Sequence, residues 1–297
     1  MTQISLALAN DAGQVNGHCD ESFQAVLDTF VANFESRDER GGSVCINVAG
    51  ETVVDLWGGK RHPKQEDEAW QEDTVSVVFS CTKAAVALCA HLLIEEGKLD
   101  VHAKVTDYWP EFGAAGKQDV TVAMMLNHSA GLPAVRERVI DGGFLDWDYM
   151  VNRLAQEEPF WSPGTRHGYH MSTFGWTVGE LVRRVSDESL GEFFRNHVAR
   201  PLGLDFHIGM PEEEHHRVSR MLRWAPKKGD PIAPYTQALL NDRNSIQYLA
   251  LLNSGGMKTD SPASYLAEYG AGGGITNARG LAGMYKPLAN GGQGFID

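Results

Sequence analysis

Val77-Val78-Phe79-Ser80-Cys81-Thr82-Lys83-Ala84-Ala85-Val86-Ala87-Leu88 is the stretch on which the reading of this chain turns. After Ser80 the apolar residues Ala84, Ala87, Leu88, Leu92 and Ile94 fall largely at helical spacing and Gly97 closes the run, which predicts a helix beginning at Ser80. Ser80 and Lys83 then share one face of its first turn, where the hydroxyl can reach the amine. The unpaired amides and the positive dipole end of the helix lie at the same place and suit a developing oxyanion. A hydroxyl is a poor nucleophile at its own pKa, but a lysine desolvated among Val78, Phe79 and Ala87 can lose its proton and serve as the base. The bland alternative is a serine N-cap before a buried helix, with the S-x-x-K spacing arising by chance.

With 297 residues and 42% hydrophobic content, the chain can bury one large core or two modest ones, and its composition is that of a folded protein. The formal net charge of −13 argues against nucleic acid and against docking on an anionic membrane, since both need clustered Lys and Arg. Cys19, Cys45, Cys81 and Cys89 show no C-x-x-C spacing and have mostly apolar neighbours, which suits free buried thiols in a reducing compartment. Met1-Thr2-Gln3-Ile4-Ser5 has no basic region before an apolar one, so no signal peptide is read. The longest strongly apolar run, Ala84 to Ile94, is interrupted by His91 and falls well short of the roughly 20 residues that span a bilayer. The expected location is the cytoplasm.

Residues 1–19 give no strong element. Asp20-Glu21-Ser22 caps a helix with Phe23, Val26, Leu27, Phe30, Val31 and Phe34 on one stripe, ending near Ser36. Val44, Ile46 and Val48 alternate with polar residues, Gly50-Glu51 turns, and Val53 to Trp57 returns as the second strand of a hairpin. Lys60 to Asp73 reads as a polar surface loop. Further helices are predicted before Asn127 with Thr121 as cap, from Asp148 to Gln156, from about Thr173 to Val185, and from Ser189 toward Val198. Residues 205–270 hold no period, with Pro226, Pro231, Pro234 and Pro262 breaking the pattern, and Gly270 to Gly274 reads as a flexible turn rather than a phosphate cradle. A last helix covers Ala278 to Leu288.

Four ordered motifs carry a resemblance. Ser80-Cys81-Thr82-Lys83, then Leu126-Asn127-His128-Ser129-Ala130-Gly131-Leu132, then Pro163-Gly164-Thr165 before Gly168-Tyr169-His170, then Ala199-Arg200-Pro201-Leu202-Gly203-Leu204, together resemble the serine β-lactamase-like esterases. These are the family VIII carboxylesterases, kin of class C β-lactamases and penicillin-binding proteins. The resemblance implies a β-lactamase-like fold, α/β plus all-α: an antiparallel sheet flanked by helices, with an inserted helical domain. Residues 1–74 would begin the α/β domain with a helix and hairpin, 75–205 would form the helical domain, and 206–297 would be an irregular return toward the sheet.

It further implies Ser80 as nucleophile, Lys83 as adjacent base, and Tyr169 as the tyrosine of a Y-x-N motif, with Met171 where the asparagine is usual. A phenol flanked by an ammonium can be held as phenolate or relay a proton to the leaving alcohol. Losing the asparagine amide weakens lactam recognition more than ester cleavage, so Met171 points to carboxylic esters, with short acyl chains expected from the resemblance. The alternative for Tyr169 is a buried aromatic under the turn. His128 is read as a structural residue of the wall beneath the site. His167 and His170, and the run Glu212-Glu213-Glu214-His215-His216, lack H-E-x-x-H spacing or a third ligand, so neither metal nor cofactor is expected. G-x-S-x-G is absent, since Ser129 has Asn127 where the first glycine belongs.

One departure stands out: the family's third motif, K-T-G or a variant, is not found. The amide of Ser80 then supplies half an oxyanion hole, and losing one donor typically costs about 100- to 1000-fold in turnover. The C-terminal strands of the resemblance are missing as well, which would leave the Val44 hairpin with an open edge. Completion by a C-terminal fragment or another copy, or an inactive remnant, are the expectations that follow. The candidates are thus a small-molecule esterase, a β-lactam or D-amino peptide hydrolase on the same nucleophile, and a non-catalytic scaffold.

Overall fold

The computed structural model describes residues 2–62, 68–222 and 229–296, so the middle of the expected polar loop (63–67) and Pro226 lie outside the described residues. Strands β1 (Thr2–Ala7) and β2 (Gln14–Cys19), helix α1 (Gln24–Ser36) and strands β3 (Gly41–Val48) and β4 (Glu51–Gly59) form the first layer pair. The strands make one antiparallel sheet in the order β1-β2-β4-β3. Asp20 accepts the Ser22 amide and opens a 3-10 turn that runs into α1, as the sequence predicts. Leu27 and Phe34 of α1 then bury against Val15, Cys19, Val54 and Leu56 of the sheet.

Residues 1–19, expected to carry no strong element, instead supply two strands. In β2, buried Val15, Gly17 and Cys19 alternate with more exposed Gln14, Asn16 and His18. The middle member is a glycine because φ is 125° there and a Cβ would stand 2.0 Å from the Asp55 carbonyl oxygen of β4. That glycine hides the apolar alternation. Among the described residues β3 pairs with β4 only, so it carries one edge of the sheet while β1 carries the other.

Strand β5 (Ser76–Val77) leads into α2 (Thr82–Glu95), α3 (Val122–Leu126), α4 (Trp147–Gln156), α5 (Thr173–Ser186) and α6 (Leu190–Phe194). Thr121, Asp146 and Ser189 each cap the following helix by accepting a backbone amide, and Glu192 completes a capping box with Ser189. Helix α2 is buried on almost every side: Ala85, Val86, Leu88, Cys89, Ala90, Leu92 and Leu93 are all inside. A helix apolar all round is the centre of a core rather than its cover. Trp109, Phe112, Trp176, Phe193 and Phe194 fill that core, and it reaches on to Phe206, Ile208, Tyr269, Ala271 and Met284.

The stretch without a period holds β6 (Phe206–His207) and the short helices α7 (Pro234–Asn241), α8 (Ile246–Leu252) and α9 (Pro262–Leu266), followed by β7 (Ile275–Thr276) and α10 (Ala278–Ala289). Pro234 and Pro262, read as breakers, sit in the first turns of α7 and α9, where a missing N–H costs nothing. Strand β7 lies between β5 and β6 in a second, three-stranded antiparallel sheet, and α10 packs on β3. The cysteines are free, but only Cys19 and Cys89 are buried; Cys45 is half-buried and Cys81 exposed, contrary to the expectation of four buried thiols. Among the described residues no helix is long and apolar enough to cross a membrane.

The glycine run 270–274 is the clearest correction. It is buried throughout and bonded on both sides, the Val78 amide donating to the Gly274 carbonyl at 2.9 Å and the Gly274 amide to Thr82 Oγ1 at 2.9 Å. A Cβ on Gly274 would meet Thr82 Oγ1 at 2.5 Å and the Phe206 ring at 2.9 Å. Gly274→Ala is therefore expected to cost about 1–3 kcal/mol by overpacking, seen as a lower thermal unfolding midpoint. Gly42→Ala, whose nearest neighbour is a Phe30 ring carbon at 3.9 Å, should stay within about 0.5 kcal/mol of the parent.

Candidate active site

The strand β5 ends against a short 3-10 turn, Phe79–Cys81, from which α2 continues. Phe79 adopts φ of 45°, a left-handed conformation rare for a side chain of this size. The turn presents Ser80 at the surface, and no acceptor among the described residues takes the Ser80 amide. An amide without an intramolecular acceptor is available to a ligand.

Around Ser80 Oγ the three expected side chains converge. The Tyr169 hydroxyl donates to it at 2.6 Å, and Lys83 Nζ stands 3.3 Å away. Lys83 Nζ also donates to the carbonyls of Met171 at 2.7 Å and Ala271 at 2.8 Å. Burial pulls the Lys83 ammonium below its usual range, partly opposed by the hydrogen bond and charge of Tyr169. Lys83 is 8% exposed, yet Phe79, expected among its desolvating neighbours, is 47% exposed and turned outward. The face of the Tyr169 ring, with its centroid 4.8 Å from Nζ, and the two carbonyls enclose the lysine instead. Tyr169 itself is an exposed residue rather than an aromatic buried beneath the turn.

Met171 is half-buried and acts on Lys83 through its backbone. Two contributors escaped the sequence reading. Ala271 supplies a carbonyl, which no residue type advertises. Thr82 donates its hydroxyl to the Phe79 carbonyl at 2.6 Å while accepting the Gly274 amide, thereby stapling the Ser80 turn to the glycine run. Its place between Ser80 and Lys83 was the only available signal.

The histidines are engaged by the backbone. His170 Nε2 accepts the Leu132 amide at 2.9 Å and Nδ1 faces the Gly168 carbonyl, and burial pulls its pKa down to about 4. His167 Nδ1 donates to the Asn127 carbonyl at 2.9 Å. In the acidic run, His215 and His216 contact the Met210 and Glu213 carbonyls. Among the described residues no three metal-ligating side chains come together. A cavity of about 400 Å³ opens beside the β3 edge between Arg40, Lys60, Arg61, Trp70 and Asn277. It includes neither Ser80, Lys83 nor Tyr169, so the chemistry is placed by the side-chain constellation and not by this hollow.

A serine hydroxyl, a desolvated amine and a phenol meet here in a fold of antiparallel sheets and helices. Residues 23–295 match the beta-lactamase family model, and the chain belongs to that family. The expected fold and family are thus correct. The esterase/beta-lactamase LipL of Mycobacterium tuberculosis is 33% identical over 292 residues, 95% of this chain and 66% of LipL. Esterase EstB of Burkholderia gladioli is 32% identical over 151 residues, 45% of this chain and 38% of EstB. Among solved structures, a family VIII carboxylesterase is 40% identical with a TM-score of 0.81, covering 93% of this chain and 72% of its own. A penicillin-binding protein homologue from Caulobacter crescentus is 34% identical with a TM-score of 0.83, covering 94% and 72%. The chain spans just under two thirds of LipL and well under half of EstB.

Thr82→Val keeps the shape of the staple and removes both hydrogen bonds, leaving the buried Gly274 amide unpaired. The expected loss is about 1–3 kcal/mol in urea unfolding, together with slower modification of Ser80 by a fluorophosphonate probe.

Proposed function

We propose that this chain is a serine carboxylesterase that works through an acyl-enzyme on Ser80. The observation that carries the reading is the meeting of Ser80 Oγ with both Tyr169 Oη at 2.6 Å and Lys83 Nζ at 3.3 Å. As a neutral amine, Lys83 has two N–H groups, which its two carbonyl partners satisfy, and one lone pair left for the serine proton. Lys83 takes the Ser80 proton as Oγ attacks the ester carbonyl carbon, and the Ser80 amide receives the resulting oxyanion. Tyr169 gives its proton to the departing alkoxide and is reprotonated from the Lys83 ammonium. Water then attacks the acyl-enzyme through the same groups in reverse, releasing the acid and restoring the serine.

Met171 favours esters over lactams, because a thioether cannot donate the hydrogen bond that an asparagine amide would give to an acylamino side chain. Small-molecule esters with short acyl groups are the proposed substrates. The free edge of β3 supports completion of the sheet, and of the oxyanion hole, by a further strand from a second copy or another segment. A chain that remains monomeric in light scattering and reaches esterase turnover unaided would remove that reading. Free cysteines support a reducing compartment such as the cytoplasm.

The test is turnover of p-nitrophenyl butyrate beside nitrocefin. The ester should be the better substrate; faster nitrocefin cleavage would make the chain a β-lactam or D-amino peptide hydrolase, a possibility carried by the penicillin-binding relative. Ser80→Ala should abolish turnover. Lys83→Ala should lower kcat by about 100- to 10,000-fold, and a fully active Lys83→Ala enzyme would contradict the assigned base. Protonated Lys83 cannot accept a proton, so the rate should be low in acid. It should rise with pH to a plateau centred below the ordinary lysine value of 10.5, the direction in which burial moves this amine. A folded chain whose Ser80 resists fluorophosphonate would be a scaffold and no enzyme.

A further inference from the structure

His128 lies directly beneath Tyr169 and holds it from both sides. Its backbone carbonyl accepts the Gly168 amide at 3.1 Å, and its Nδ1 accepts the His170 amide at 3.2 Å. The residues immediately before and after Tyr169 are therefore tied to a single residue. The imidazole also meets the Tyr169 ring edge-on, with centroids 5.2 Å apart, and is backed by Phe174 at 5.0 Å. His128 itself adopts φ of 64°, left-handed backbone that persists only where surrounding contacts require it.

We infer that His128 is a positioning residue for Tyr169 that works only as the neutral imidazole protonated on Nε2, so that protonating this one ring loosens the phenol from Ser80. The inference rests on the reading of Tyr169 as a proton-handling group. A backbone N–H can only donate, so Nδ1 must present a bare lone pair to the His170 amide. An imidazolium would set N–H against N–H and push the segment that carries Tyr169 away.

The surroundings of His128 favour the neutral form. Lys83 faces it from α2, while His167, Tyr169 and His170 face it from the segment before α5; Phe174, from α5, is uncharged. His170 carries no charge near neutral pH, since burial holds its pKa at about 4. Burial first, then the charges of Lys83 and His167, move His128 below the ordinary imidazole value of 6.5. The acceptor is thereby kept at neutral pH and lost as the pH falls through the shifted value.

Asparagine separates this role from simple wall-filling. Its Oδ1 lies about as far from the backbone as Nδ1 of histidine, it tolerates left-handed φ, and it has no proton to gain. The experiment follows Ser80 phosphonylation by a fluorophosphonate probe in the full chain from pH 4.5 to 8.5, read by intact mass. It compares the parent with His128→Asn, His128→Ala and Tyr169→Phe, and adds 15N NMR of the imidazole in the parent. His128→Ala should react about 10- to 100-fold more slowly at pH 7.5, and His128→Asn should recover most of that loss. The parent should lose rate in step with the His128 titration seen by NMR, whereas His128→Asn should lack that step and keep only the fall due to Lys83.

Protonated Nδ1 at pH 7.5, a folded His128→Ala reacting within twofold of the parent, or His128→Asn as slow as His128→Ala would each overturn the inference. If His128→Ala does not fold, the pH profile of His128→Asn and the tautomer decide. Tyr169→Phe reacting at the parent rate would instead remove the proton-handling reading of Tyr169, leaving the Nδ1 hydrogen bond to be judged by NMR alone.

Discussion

Everything at this site depends on how a buried lysine nitrogen is satisfied without a carboxylate. Lys83 Nζ bonds to the carbonyls of Met171 and Ala271 and to Ser80 Oγ, and no carboxylate is among the causes of its shifted pKa, the phenol of Tyr169 being the one group that opposes the effect of burial. A carboxylate partner would hold the amine as ammonium; carbonyl dipoles satisfy two N–H groups without that full opposing charge, and burial still moves the amine toward its neutral form. The contrast with Glu180 makes the point. Burial alone would push that carboxyl up, yet hydrogen bonds from Arg183, Trp147 and Arg184 bring it below the usual range, fixing it as a permanent anion between α4 and α5. One buried charge is locked in place, and the other is kept free to change.

The same requirement explains why distant parts of the chain must meet. Residues 83, 171 and 271 come from α2, from the segment before α5, and from the glycine run, and each brings a different constraint. The run 270–274 passes close to the Ser80 turn, and a Cβ at Gly272 or Gly273 would crowd Tyr269 while one at Gly274 would strike Thr82 and Phe206. Thr82 fixes the distance by bonding to both Phe79 and Gly274. The helical core that surrounds α2 then resists any shift of Lys83, because α2 is packed on nearly every side.

What the sequence reveals follows the range of each interaction. Ser80 and Lys83 are legible because a three-residue spacing on a helix is local chemistry, and α1 with the β3–β4 hairpin is legible because its apolar period is regular. Tyr169 becomes legible only through the ordered motifs of a family. Strand β2 is hidden by Gly17, which occupies an inward position without being apolar, and β1 by having Ile4 as its only buried residue. The glycine run reads as a flexible turn because composition cannot distinguish glycines that loosen a chain from glycines that admit close packing. Helices α7 to α9 are too short for a period to show, and their prolines mark starts as readily as breaks.

Residue 171 shows how activation and selection can be separated on one backbone. Its carbonyl holds Lys83, and every amino acid provides a carbonyl; its side chain is half-exposed and makes no polar contribution to the nucleophile. A different side chain at this position would therefore leave that carbonyl contact with Lys83 available. An amine held by main-chain carbonyls keeps those hydrogen bonds whatever side chains the carbonyl residues carry. The general consequence is that a fold can keep one backbone framework while the side chains set on it vary, so that fold and function separate.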